Sequence, residues 1–158
     1  MNEPLAIYLN DHLSASKAAV DFLKMLRDHH TSDTLGPFAS ALLSEIEEEQ
    51  RILVELRSRI GCGSTGIKEV ASWVAAKAGR LKLRNATEVF GVFETLEMLM
   101  LGLSGKKALW QALQLTAVTD VRLREIDYAG LIERSEGQRA RVDRKRLEVA
   151  AIALTGIP

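Results

Sequence analysis

The sequence predicts an all-α protein, an up-down four-helix bundle that folds as a single domain over residues 1–158. Three observations carry this prediction. Apolar residues recur at three- and four-residue spacings over long segments, the signature of helices with one buried face. Glycine and proline are sparse, 11 and 3 residues in 158, which leaves little material for turns. The breakers that exist cluster at a few places, around Thr31–Thr34, Gly61–Gly63, Gly79 and Thr119–Asp120, and so divide the chain into long segments.

The first segment places Leu5, Leu9, Ala19, Leu23 and Leu26 on one face, with Pro4 suited to a first helical turn, and predicts a helix over Leu5–His30. The polar run Thr31-Ser32-Asp33-Thr34 ends it and supplies the next N-cap. Leu35, Phe38, Leu42, Ile46, Leu53, Leu56 and Ile60 trace a second helix, with Pro37 in its first turn and a glycine C-cap in Gly61-Cys62-Gly63. A shorter amphipathic stretch, Ile67–Ala78 with Val70, Trp73 and Val74, is expected to form a crossing helix between two hairpins and to end at Gly79. Asn85-Ala86-Thr87-Glu88 has the form of a capping box and opens a third helix through Phe93, Leu96, Met100, Leu103, Trp110 and Leu113. The last helix begins after Thr119-Asp120 or at Asp127 and runs to about Leu154, with Leu131, Val142, Val149 and Ala153 as its seam.

Composition excludes several classes of function. Lys plus Arg and Asp plus Glu number 21 each, so no net field draws the chain to nucleic acid or to an anionic membrane. The basic run Arg139–Arg146 includes Asp143 and is spread around its helix, as a solvated, salt-bridged face would be. No apolar run is long enough to span a bilayer, and the opening Met1-Asn2-Glu3-Pro4 lacks a signal peptide's basic and apolar regions, which points to the cytoplasm. Cys62 is the only cysteine, so neither an internal disulfide nor a multi-cysteine metal site is available. Gly61–Lys68 superficially resembles a phosphate-binding loop. Ile67 stands where lysine must follow the glycine, however, and the loop leaves a helix rather than a strand.

The informative residues are polar ones on the apolar seams, because burying them costs free energy unless they are paired. His12 and Ser16 lie on the first helix and Glu49 on the second, between Ile46 and Leu53. A fold-back near Ser32 sets Glu49 level with Ser16 and within about one turn of His12, which suggests a His12–Glu49 hydrogen bond. On the third helix Glu94 and Glu97 share a side. A fold-back near Val118 brings Ser135, Gln138 and Arg139 to their level with Glu136 one turn away, which suggests a Glu97–Arg139 pair. The candidate interior layer is therefore His12, Ser16, Glu49, Glu94, Glu97, Glu136, Gln138 and Arg139. Carboxylates and a histidine projecting inward could instead hold iron or manganese, with His12, Glu49, Glu97 and Glu136 as ligands. Arg139 favours the salt-bridged reading, since a guanidinium neutralises carboxylates that would otherwise need a cation.

Tyr8-Leu9-Asn10-Asp11-His12-Leu13, Glu45-Ile46-Glu47-Glu48-Glu49, and Leu96-Glu97-Met98-Leu99 through Gly105-Lys106-Lys107-Ala108-Leu109-Trp110 resemble a group of uncharacterised bacterial ferritin-like proteins over nearly the whole chain. The resemblance implies a bundle with a crossover between its hairpins, often dimeric. It also implies a di-metal layer built from a glutamate on helices one and three and Glu-x-x-His on helices two and four. Here Glu49 is followed three residues on by Ile52 and Glu136 by Arg139, so neither Glu-x-x-His pair is present, and His12 is helix one's nearest substitute for its glutamate. The expectation is a non-enzymatic, cytoplasmic, homodimeric ferritin-like bundle of unknown cellular role, without cofactor, its metal layer replaced by salt bridges. The rival is a non-standard carboxylate and histidine metal or redox protein. A third reading is an interaction module that offers the apolar Met98–Leu103 stretch to a partner.

Overall fold

The structure, a computed structural model, describes residues 3–61 and 88–157. Four long helices account for most of them: α1 (Pro4–His29), α2 (Leu35–Ile60), α3 (Val89–Thr116) and α4 (Tyr128–Thr155), with a 3-10 turn at Val121–Leu123 before α4. The crossing helix expected over Ile67–Ala78, with Trp73 and the Gly79 stop, lies outside the described residues, as do Cys62, the loop to Lys68 and Asn85.

The helix boundaries follow from local chemistry. Pro4 opens α1, where a missing N–H costs nothing. The polar linker after α1 caps α2 through Asp33, whose Oδ1 accepts from the Leu35 N–H at 2.7 Å, while Thr34 in the N-cap position makes no side-chain cap. Gly61 closes α2 in the left-handed region at φ 74°. Both start signals before the last helix are used. Asp120 caps the 3-10 turn at the Arg122 N–H, and Asp127 caps α4 at the Gly130 N–H. The third helix differs from expectation. It opens at Val89 with Glu88 in an extended N-cap position and no side-chain cap, so Glu88 is not the third residue of a capping box.

Two apolar clusters define how the helices run. One gathers Val20, Leu23 and Leu26 of α1, Leu35, Leu42 and Ile46 of α2, Val92, Leu96, Leu99 and Leu103 of α3, and Val142 of α4. The other gathers Leu9 and Leu13, Leu53 and Leu56, Leu109, Trp110 and Leu113, and Leu123, Tyr128 and Leu131. The start of α1 thus sits with the end of α2, the end of α3 and the start of α4. Helices α1 and α2 are antiparallel, α3 and α4 are antiparallel, and α2 and α3 run in the same direction, with Gly61 and Glu88 at opposite ends. Within Met98–Leu103, Leu99 and Leu103 are buried and Met98 and Met100 pack on the core edge, whereas Leu101 points outward and is 59% exposed.

The α1–α2 corner is tight. A Cβ on Gly36 would stand 2.1 Å from the His30 carbonyl oxygen, so the first turn of α2 passes the end of α1 only because that residue is glycine. Gly36→Ala is expected to destabilise the protein by about 1–3 kcal/mol through this overlap with backbone. A urea titration followed by helical circular dichroism measures it, and an unchanged midpoint would show that the corner relaxes freely.

Candidate functional site

The two apolar clusters are separated by a break that every helix makes at the same height. On α1 the seam passes from Leu13 to Val20 through Ser16, and on α2 from Ile46 to Leu53 through Glu49. On α3 it passes from Leu103 to Leu109 through Lys106, and on α4 from Leu131 to Val142 through Ser135 and Gln138. Glu49, Ser135 and Gln138 are 1%, 0% and 0% exposed.

A lysine organises this layer. The Lys106 ammonium donates to Glu49 Oε2 and to Gln138 Oε1. Gln138 Nε2 donates to Glu49 Oε1 and to Glu45 Oε2, each at 2.9 Å. The glutamine amide can face only one way here, with its oxygen to the cation and its nitrogen to the two carboxylates. Arg141 then closes the network on Glu45 with a two-pronged contact, Nη1 to Oε1 at 2.9 Å and Nη2 to Oε2 at 2.5 Å. Arg134 bonds Glu48 at 3.0 Å and stands 4.0 Å from Glu49. Helices α2 and α4 are therefore joined through long polar side chains. The Ser135 hydroxyl is satisfied within its own helix, donating to the Leu131 carbonyl at 2.8 Å.

Burial and charge oppose each other at these groups. Desolvation pulls the Lys106 ammonium below its ordinary pKa, and the Glu49 carboxylate acts the other way without fully offsetting it. At Glu45 desolvation works to raise the carboxyl, but the hydrogen bonds from Arg141 and Gln138 and the nearby guanidinium charges outweigh it and hold it below its ordinary value. On the outer edge, hydrogen bonds from Arg139 and then Lys107 lower Glu136 to about 2. For both glutamates the folded state keeps the charge after the unfolded chain has taken up protons. Their stabilisation is present above pH 4.5 and is lost as pH falls from there through the folded values. Unfolding midpoints are expected to drop as pH falls below 4.5, with a shallower slope in Arg141→Gln; equal slopes would remove Glu45 from this account.

The structure gathers some of the candidate residues in this layer and separates others. Ser16, Glu49 and Gln138 lie in it. Ser16 accepts from Gln50 Nε2 at 3.1 Å, so α1 and α2 meet at the expected level. His12 and Glu49 line the same cavity, but the expected hydrogen bond between them is replaced: Glu49 is taken by Lys106 and Gln138, and His12 packs edge-on against Tyr8 with centroids 4.6 Å apart. Desolvation lowers the His12 pKa, with Asp11 acting weakly in the other direction. Glu97 does not meet Arg139. It faces Arg146 at 3.4 Å, while Arg139 turns back along α4 to Glu136 at 2.6 Å. The physical reason is the connection. Val118 lies in a turn, but the reversal extends on through the 3-10 turn at Val121–Leu123, which shifts the α3–α4 register by about two helical turns.

The same shift disperses the proposed metal ligands. Along α3, Glu97 lies about 14 Å and the half-buried Glu94 about 18 Å from the level of Lys106. Glu136 sits at the rim, 42% exposed, between Lys107 and Arg139. His12, Glu49, Glu97 and Glu136 therefore do not converge. Among the described residues, no group of three or more His, Cys, Asp or Glu could hold a metal ion. The layer itself does not fit a di-metal centre, because an ammonium stands between its carboxylate and amide where a metal would need open lone pairs.

Lys106 is absent from the sequence-derived candidates, although a signal for it exists. Leu99, Leu103, Lys106, Trp110 and Leu113 alternate four- and three-residue steps, so Lys106 occupies a core position in the seam.

These features define a class: an all-helical bundle whose core is divided by a hydrogen-bonded ionic layer. Among the described residues, no helix is long and apolar enough to cross a membrane. Comparison with protein families, curated proteins and solved structures finds no match to this chain.

Proposed function

We propose that the protein is a non-catalytic bundle of the ferritin-like kind, self-associating as a homodimer, in which a lysine ammonium takes the place of the interior metal. One observation carries the reading. Lys106 donates to Glu49 and Gln138 at the level where all four helices interrupt their apolar seams. The helix directions support it as well, since two antiparallel hairpins with α2 and α3 running the same way is the arrangement of a bundle with a crossover between its hairpins. In such a layer a fixed cation does for the carboxylates what a metal does elsewhere. It neutralises them and ties opposite helices together, but it offers no open coordination position for a substrate.

Elemental analysis tests this directly. The purified, untagged protein is incubated with Fe(II) and Mn(II), desalted, and analysed by plasma mass spectrometry. Retained metal far below stoichiometric is expected. About one or two ions per chain would overturn the reading and restore a metal or redox protein built on other ligands.

A further inference from the structure

The amine that organises the layer is also reachable. A cavity of about 50 Å³ lies between α1, α2 and α3, bordered by His12, Ser16, Glu49, Gln50, Gly102 and Lys106, with leucine, isoleucine and alanine side chains completing its walls. A space of that size accepts about three to five water-sized groups. Gly102 both lines the cavity and is exposed, so the cavity reaches solvent beside it. Of the three protons on the Lys106 ammonium, Glu49 and Gln138 accept two, which leaves the third for the cavity.

We propose that Lys106 is a covalent capture site for small aliphatic aldehydes or ketones, forming an iminium ion in this cavity with Glu49 as proton shuttle and counter-ion. The inference does not depend on the ancestry of the bundle or on its metal content.

The chemistry balances within the residues present. Glu49 accepts a proton from the Lys106 ammonium, which frees the lone pair on Nζ. The amine attacks the carbonyl carbon; a carbon–nitrogen bond forms, and the carbonyl π pair moves to oxygen, which takes up the second amine proton. The Glu49 carboxylic acid then protonates the resulting hydroxyl, which leaves as water while the nitrogen lone pair forms the C=N bond. The ammonium and carbonyl have become an iminium ion and water, Glu49 is again ionised, and no oxidant or reductant is consumed. The charge on nitrogen is the same before and after, so the buried carboxylate that pairs with the ammonium pairs equally with the iminium.

Three features favour Lys106 over the lysines on the surface. Desolvation makes its free amine more accessible, the usual way a lysine becomes a nucleophile. Its acid–base partner is already in contact. The apolar walls accept an alkyl chain of a few carbons and disfavour charged carbonyl compounds, because the layer's carboxylates and cations are already matched.

The test uses the full chain with butanal and sodium cyanoborohydride, which traps the iminium as a stable alkylated lysine, and peptide mass mapping over time. Lys106 is expected to be alkylated several-fold faster than exposed Lys17 and half-exposed Lys24. Lys106→Arg is expected to abolish the fast phase. Gly102→Leu, which fills the mouth without touching the amine, is expected to slow labelling at Lys106 while leaving Lys17 unchanged. Labelling of Lys106 no faster than of Lys17 and Lys24 overturns the proposal, and so does fast labelling that Gly102→Leu leaves intact.

Discussion

Replacing Lys106 with methionine is expected to cost about 3–5 kcal/mol of stability, the largest effect of any single substitution in the polar layer. The replacement keeps most of the side-chain volume and removes the charge together with the donors to Glu49 and Gln138. Glu49, with a side chain 2% exposed, would then have Gln138 as its remaining close donor, with Arg134 4.0 Å away. A buried carboxylate without its cation must either stay charged in a poor solvent or take up a proton, and both routes lower the free energy of unfolding. The double variant Lys106→Met/Glu49→Leu should recover most of the loss, because an ion pair replaced as a unit by apolar residues is often neutral or stabilising. Urea titrations of the two single variants and the double variant measure the coupling. Losses that simply add would mean that the two residues do not depend on each other.

Trp110→Ala is expected to cost a similar amount, about 3–5 kcal/mol, by an unrelated mechanism. The indole is 0% exposed and packs in the second of the two apolar clusters with Leu9, Leu13, Leu56 and Leu113, with the Tyr128 ring 6.4 Å away. Its Nε1 has no hydrogen-bond partner among the described residues, so its contribution is packing and burial rather than polar contact. Tyr128 is held by its hydroxyl, which donates to the Leu123 carbonyl at 2.7 Å, and it cannot swing into the space that Trp110 leaves without breaking that bond. The loss should accordingly be insensitive to pH. A cost below about 1 kcal/mol would mean that the cluster collapses around the gap.

The contrast between these residues shows what a sequence can reveal about a bundle. Seams such as Leu35–Ile60 on α2 are legible because a helix repeats its buried face at a fixed period, and a residue that breaks the period, as Glu49 does, stands out. Lys106 breaks the period just as clearly. In Gly105-Lys106-Lys107, however, two adjacent lysines look alike, and only the alternation of three- and four-residue steps selects the one that turns inward. Pairing between helices is a different matter. The level of Ser16 against Glu49 and Gln50 follows from a short polar corner, whose length fixes where the chain reverses. The Glu97 partner does not follow in this way, because the reversal between α3 and α4 contains a 3-10 turn, and each residue added there slides every cross-helix pair. Periodicity shows which residues face inward, whereas the geometry of the connections decides which of them meet.

The cation inside this bundle is the Lys106 ammonium, held by Glu49 and Gln138. The most direct measurement is nitrogen-15 NMR of the lysine side chains near neutral pH, in the protein and in Glu49→Gln. A Lys106 nitrogen signal set apart from those of Lys17 and Lys24 is expected, assigned by its loss in Lys106→Arg, with a shift that moves when Glu49 is neutralised. A Lys106 signal that coincides with those of Lys17 and Lys24, and that does not respond to Glu49→Gln, would show that the ammonium is not held by Glu49.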